Sequence, residues 1–416
     1  MRILLVSHYY PPEIGAPQRR WDALVERFIA RGHRVAVLSP SPHYPSGRLN
    51  DNHQHLRPGT TARGQHGERV HRLRFREYDR SVGARGQDQL VAAADAVAIG
   101  VMALGRRYRP DVVVATVPGL PTLPAGLALG GILGAPVVVE MRDAWPDLLG
   151  ARDAWDATPS PEPAAVISSL SRWATAALAS SITLMQRRAA AVVTTTSTFA
   201  EVLQGRGLRR VLTVRHGTDV AAVPSEESRP HGPLRVLYAG TVGRSQGLET
   251  AVKAAHLCAE RGTAVDLRIV GDGAQLNGLQ SLAGELGAPV DFLPTVPSVQ
   301  MRSHYTWADS ILVSLRSWEP LRWTVPSKLY DALATGRHVS AALEGEAAGI
   351  VQRTAAGDVV PPEDPHALAA LWERLAAERA GLDVGDRGQT WVADNADDDA
   401  LAIRYLELLE EVVRLG

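Results

Sequence analysis

Hydrophobic positions along this chain fall into short, nearly continuous runs separated by amphipathic stretches. Residues 2–7, RILLVS, form the first run, followed by a Pro/Gly loop to Gly15. A helical pattern extends from Pro17 to Arg31, Gly32 stops it, and RVAVLS (34–39) predicts the next strand. The plan returns further on: LRVLYAG (234–240), a Gly-rich loop TVGRSQG, and a helix from Leu248 to Arg261. VDLRIV (265–270), a helix after Gly273, VDFL (290–293), a helix near Ser298–Trp307 and ILVSL (311–315) continue it. The stretch VPSKLYDALATGRHV (325–339) adds a helix that runs into the strand HVSAAL (338–343). Short apolar strands alternating with helices predict parallel sheets covered on both faces.

The repeated plan predicts an α/β chain of two Rossmann-like domains, with ligands gathering at the carboxyl ends of the strands and the domains facing across a cleft. The expected boundaries are 1–217 for the first domain, a polar Pro/Ser-rich linker at 218–233, and 234–395 for the second. Residues 396–416 are a C-terminal helix expected to pack back on the first domain, with the acids of DNADDD capping its positive end. Asp397 and Asp399 spell D-x-D, a metal pattern of some sugar transferases, but not on the loop after a strand where it belongs. The polar tract 41–67 reads as a long functional loop. Val112 to Val139 carries no charge, yet Pro118, Pro121, Pro124 and Pro136 would interrupt a membrane helix. It is read as strand Val112–Thr116, helix Thr122–Leu133 and strand Val137–Glu140.

Composition narrows the classes. The chain has 416 residues, 45% hydrophobic and 21% charged, with a net charge of −1, which gives no footing for a nucleic-acid binder. A single cysteine, Cys258, precludes an internal disulfide and fits a reducing, cytoplasmic setting. The first apolar run is too short for a signal peptide. G-x-G-x-x-G after a first strand, G-x-S-x-G, a P-loop and a Cys/His zinc pattern are all missing. Hydride transfer, serine-triad hydrolysis and ATP hydrolysis therefore lose support, and neither a cofactor nor a metal is expected.

The helix after Val325 poses a chemical question. With Pro326 as its first residue, Ser327 and Lys328 fall in the first turn, where the dipole disfavours a cation. An anion seated between Lys328 and the free N–H groups would reverse that cost, and Asp331, on the face of Ser327, would reach a sugar hydroxyl. The alternative is a solvated lysine with an exposed aspartate. Gly240, Gly243, Gly271 and Gly273 sit on loops of the kind that approach phosphate. In the first half, Asp143 follows a buried strand, as either a cleft carboxylate or a cap for the turn before Trp145. His8, Glu13 and His43 lie on loops where an acceptor would bind; loop histidines and an exposed glutamate are the plainer account. The segment Ala164–Arg188 is apolar on much of its circumference, as either a core helix or a peripheral membrane contact.

Taken in order, YYPPEIGAPQRR, EMRDAWPD (140–147), RHGTDV (215–220), YAGTVGRSQGLETAVKAA, RIVGDGAQ, VPSKLYDALATGRHV, LEGEAAGIV and VVPPEDPHALA resemble the retaining GT-B glycosyltransferases of family 4. The chain is most similar to the branch that builds bacterial O-antigens, capsules and exopolysaccharides, including N-acetyl-fucosamine-type transferases. The resemblance covers essentially the whole chain. It implies a GT-B fold, a nucleotide-sugar donor on the second domain, UDP being the family's commonest, and an acceptor on the first. The acceptor class stays open: a sugar, a lipid-linked sugar or a small molecule, the lipid-linked case bringing the protein to the inner face of the membrane.

Carried over by residue, Asp331 matches the acid that bonds the ribose, and Ser327 and Lys328 the turn beside the diphosphate. Arg244 matches a basic position of the Gly-rich loop, Gly15 the glycine of the first loop, and Arg20 a recurrent arginine on the next helix. Asp143, Arg244 and Lys328 are the expected catalytic residues of a metal-independent transfer with retention. The chain departs from the pattern at Trp323, eight residues before Asp331, where many members carry a glutamate near the donor sugar. Sugar contacts would then come from the Glu344–Glu346 loop. Thr241 and Gln246 replace the usual diphosphate cations. These departures keep open an alternative, a catalytically silent GT-B subunit that activates a partner.

Overall fold

The structure is a computed structural model that describes residues 1–44, 46–49, 54–78, 82–104, 108–150, 165–223 and 232–416. The chain divides into two units: Met1–His216 with Asp398–Gly416, and Gly217–Asp397. The expected linker therefore goes with the second unit from Gly217 onward. Val223 donates its N–H to the Thr335 carbonyl, and residues 224–231 lie outside the described set.

The first unit runs β1 (Arg2–Ser7), α1 (Ala16–Ala30), β2 (Arg34–Pro40), β3 (Thr61–Arg63), β4 (Arg69–Leu73), α2 (Val82–Ile99), β5 (Val112–Val117), α3 (Thr122–Leu133), β6 (Val137–Met141), α4 (Ala165–Arg188), β7 (Ala191–Thr194), α5 (Ser197–Gly205) and β8 (Val211–Thr213). The sheet order is β3-β4-β2-β1-β5-β6-β7-β8. Every pairing is parallel except β3 with β4. The uncharged segment 112–139 is the strand–helix–strand unit of β5, α3 and β6. Among the described residues no helix is long and apolar enough to cross a membrane.

The second unit runs β9 (Leu234–Ala239), α6 (Glu249–Glu260), β10 (Val265–Val270), α7 (Leu276–Leu286), β11 (Val290–Leu293), α8 (Ser298–Trp307), β12 (Ser310–Ser314), α9 (Ser327–Thr335), β13 (His338–Ala342), α10 (Gly345–Thr354), β14 (Gly357–Val360), α11 (Pro365–Ala377) and α12 (Arg387–Asn395). Its sheet is β11-β10-β9-β12-β13-β14, parallel throughout. In both sheets the central strands are apolar because helices cover both faces, so alternation would serve no purpose.

The last helix, α13 (Asp398–Leu415), joins the core of the first unit. Tyr405 packs edge-on against Trp21 (5.9 Å) and Phe28 (5.8 Å) of α1. Asp399 meets Arg31 at 3.1 Å and Arg27 at 3.5 Å, so this acid of the D-x-D pattern fastens a helix start.

Several elements depart from the sequence expectation. The tract 41–67 contains β3, and β4 and α2 follow it unannounced. β4 reads RVHRL, which looks like surface, yet His71 and Arg72 are buried because the Arg72 guanidinium donates to the carbonyls of Pro40 and Pro11. Pro326 is the N-cap of α9 rather than its first residue, so Ser327 and Lys328 are the first two helical positions.

Candidate functional site

In the second unit the loops after β9, β10 and β12 gather at the carboxyl edge of the sheet. The loop after β9 (240–247) is built on backbone contacts. Val242 donates to the Asp272 carbonyl (2.9 Å) and Gln275 donates back to the Val242 carbonyl (3.1 Å). This interlacing is what the glycines permit. A Cβ on Gly271 would stand 1.9 Å from the Gly240 carbonyl oxygen, and one on Gly273 would stand 2.2 Å from that of Val242.

Arg244 is exposed on a short 3-10 turn, Arg244–Gln246. Arg316, just beyond β12, donates through Nε to the Arg244 carbonyl (2.8 Å) and pairs with Glu249 and Glu363, both at 2.8 Å. Ser314 Oγ donates to the Gln246 carbonyl (2.7 Å). In sequence, Arg316 carries no signal beyond being an arginine after a strand.

Lys328 is strongly perturbed at this edge. Its ammonium donates to the Tyr238 hydroxyl, and Nζ stands 4.1 Å from the centroid of that ring. Tyr238 is fully buried, and its hydroxyl donates to the Thr241 carbonyl (2.6 Å). A Cβ on Gly240 would lie 3.3 Å from Nζ, so the missing side chain leaves the lysine its berth. Burial pulls the Lys328 pKa down to about 7, with nearby Asp331 opposing. Asp331 accepts a hydrogen bond from Thr218 Oγ1 at 2.7 Å, which tethers the segment after His216 to α9. Glu344, expected near the sugar, is the N-cap residue of α10, accepts from Ser317 Oγ (3.3 Å) and meets Arg322 at 3.5 Å.

In the first unit Arg20 is a buried brace. It donates through Nε (3.1 Å) and Nη2 (2.9 Å) to Glu140 Oε2, and reaches the carbonyls of Val214 and Arg215. Glu140 Oε1 accepts from Thr116 Oγ1 at 3.0 Å. Arg20 therefore holds the chain after β8 in place, and its buried guanidinium is spent inside the unit. Gly15 is the extended N-cap of α1. Asp143 follows β6; its pKa is raised by burial, with Arg142 pulling against it. Arg142 is itself fixed by donating through Nε to the Val117 carbonyl (3.1 Å).

The three expected acceptor ligands are placed elsewhere than on an open surface. The Glu13 side chain is 4% exposed, and its Oε1 accepts the backbone N–H groups of His43 (2.7 Å) and Tyr44 (2.8 Å). His8 and His43 have side chains 1% and 0% exposed and converge on Asp88 of α2. The physical reason is local: the loop after β1 and the loop after β2 need internal partners for their backbone donors, and these side chains supply or brace them.

Two family matches cover the chain in succession. Residues 15–218 match the glycosyl transferase 4-like domain and residues 233–378 match glycosyl transferases group 1. The chain is a glycosyltransferase whose two units are those of the GT-B fold. It is similar to the putative colanic acid biosynthesis glycosyl transferase WcaI of Escherichia coli K12, with 23% identity over 355 residues, 81% of this chain and 82% of that protein. The sucrose-phosphate synthase of Thermosynechococcus elongatus superposes with a TM-score of 0.77 at 18% identity, covering all of both chains. Anabaena HepE, solved in complex with UDP-glucose, gives 0.67 at 16% identity over 99% of this chain and 100% of that one. At these identities the solved structures speak for the fold.

Proposed function

We propose that the chain transfers a sugar from a UDP-linked donor to an acceptor hydroxyl with retention at the anomeric carbon, in bacterial polysaccharide or glycolipid assembly. The observation that carries this reading is Lys328: a half-buried ammonium at the start of α9, lowered to a pKa of about 7, has the environment of a cation waiting for an anion. WcaI, named for colanic acid biosynthesis, and HepE, bound to UDP-glucose, support the class of product and of donor.

In this scheme the donor diphosphate departs while Lys328, Arg244 and the N–H groups of the α9 first turn meet its developing charge, without a metal at the phosphates. Asp331, preset by Thr218, takes the ribose. The acceptor hydroxyl attacks on the face the diphosphate leaves, and its proton passes to the leaving phosphate oxygen. Asp143 orients that hydroxyl. The protein works in the cytoplasm. The exposed Trp173, Leu178 and Leu184 of α4 would suit the membrane face where a lipid-linked acceptor lies.

Asp143→Asn tests the acceptor half of the scheme. The expected result is a fall in kcat of about 10²-fold or more with UDP affinity unchanged, read by coupled UDP release and calorimetry. Unchanged turnover in a natively folded variant removes Asp143 from the scheme. Nucleotide binding with no transfer to any sugar, lipid-linked or small-molecule acceptor would instead favour a silent subunit.

A further inference from the structure

The buried cluster of His8, His43 and Asp88 gathers two imidazoles on one carboxylate oxygen. Asp88 Oδ1 accepts the backbone N–H of Arg76 at 3.0 Å, which leaves Oδ2 facing two imidazoles. His8 Nε2 lies 3.1 Å from it and His43 Nε2 lies 3.2 Å from it. These are close contacts between side chains no more than 1% exposed, yet Asp88 Oδ2, His8 Nε2 and His43 Nε2 all lack a hydrogen-bond partner of acceptable geometry. His43 Nδ1 meets the Ser41 carbonyl at 2.7 Å and must be the protonated nitrogen. Nε2 then faces the Asp88 carboxylate oxygen, and a cation, either a proton on that nitrogen or a metal ion, must stand between the two.

The three ligand atoms lie within 4.8 Å of one another. A tetrahedral ion with ligands near 2.0–2.1 Å sets donor atoms about 3.3 Å apart, which is the spacing of the two His–Asp contacts. The outer shell fits at two of the three ligands: the His43 ring N–H on a backbone carbonyl and the second Asp88 oxygen held by an N–H are how metal ligands are oriented, while His8 Nδ1 has no hydrogen-bond partner. Phe75 stacks on His43 at 4.7 Å and Tyr9 stands edge-on to His8 at 4.8 Å, which makes the surroundings largely apolar.

We propose that His8, His43 and Asp88 form a divalent transition-metal site of two imidazoles and one carboxylate, selective for borderline ions such as zinc, with water as fourth ligand. It joins the end of β1, the loop after β2 and α2. It is a structural clamp under the loop that Glu13 organises. In sequence the site is invisible, because its ligands come from three separate segments with no motif spacing.

The test uses full-length protein purified without an affinity metal. Elemental analysis should give close to one equivalent of zinc. Chelator-stripped protein should bind zinc chloride with a rise in Tm, and cobalt chloride with visible d–d absorption. Asp88→Asn should weaken zinc binding by at least about tenfold, whereas His66→Ala, which removes a His–Asp pair at Asp22 in the same unit, should not. A folded wild type that carries no metal and responds to neither salt overturns the proposal, as does undiminished binding by Asp88→Asn. Should Asp88→Asn fail to fold, the wild-type titration and the cobalt spectrum decide.

Discussion

Replacing Lys328 by methionine is expected to make the protein more stable and a poorer nucleotide binder. The stability half follows from linkage. The ordinary lysine pKa of 10.5 falls to about 7 in the folded chain because burial disfavours the charged form. Between those values the unfolded chain binds more protons, so folding stability rises with pH across that window and carries the full penalty below it. Methionine removes the penalty without leaving an orphan, since Tyr238 keeps its bond to the Thr241 carbonyl. Tm measured from pH 6 to 10 should therefore be higher for Lys328→Met at the acid end, with a flatter rise. The binding half follows from the lost charge-assisted contact, about 1.5–3 kcal/mol, or roughly 10- to 150-fold in the Kd for UDP. In the wild type, UDP binding above pH 7 should be accompanied by proton uptake at Lys328, and the affinity should fall as pH rises. Equal Tm profiles for variant and wild type would show that this lysine is not the buried cation described.

Arg20→Met carries the largest expected stability loss. Glu140 is buried and receives two of its hydrogen bonds from Arg20. Removing one partner of a buried pair leaves an uncompensated charge and costs about 3–5 kcal/mol. The double variant Arg20→Met/Glu140→Gln should recover part of the loss. Chemical denaturation followed by tryptophan fluorescence reads both, since Trp21 adjoins the site. A single variant as stable as wild type would return Arg20 to the role the sequence suggested, a ligand contact, and UDP affinity would then be the quantity to compare.

What the sequence disclosed and what it hid have physical causes. Parallel strands such as VVVATV and RILLVS are apolar on both faces, so they stand out from their neighbours. The helix after Pro326 was visible through its flanking Pro and Gly and an uncomfortable lysine in its first turn. By contrast, β4 escaped notice because its buried arginine finds carbonyl partners that only the folded chain supplies. Arg20 was singled out by resemblance and is a core brace, whereas Arg316, which carried no signal, pins the Gly-rich loop. Asp88 gave no sign at all, because its two histidine neighbours come from the ends of other strands. Residues whose role depends on a local rule were legible, and residues whose role depends on a distant partner were not.

The central claim is that the second unit holds a uridine nucleotide at α9. The direct measurement is calorimetric titration of the wild-type protein with UDP, GDP, dTDP and ADP in one buffer at pH 7. The account predicts saturable one-site binding of UDP, at least about tenfold tighter than the other three, a margin of 1.4 kcal/mol. A folded, monodisperse sample that binds none of them would contradict the donor site, and selective binding of another nucleotide would contradict the uridine assignment.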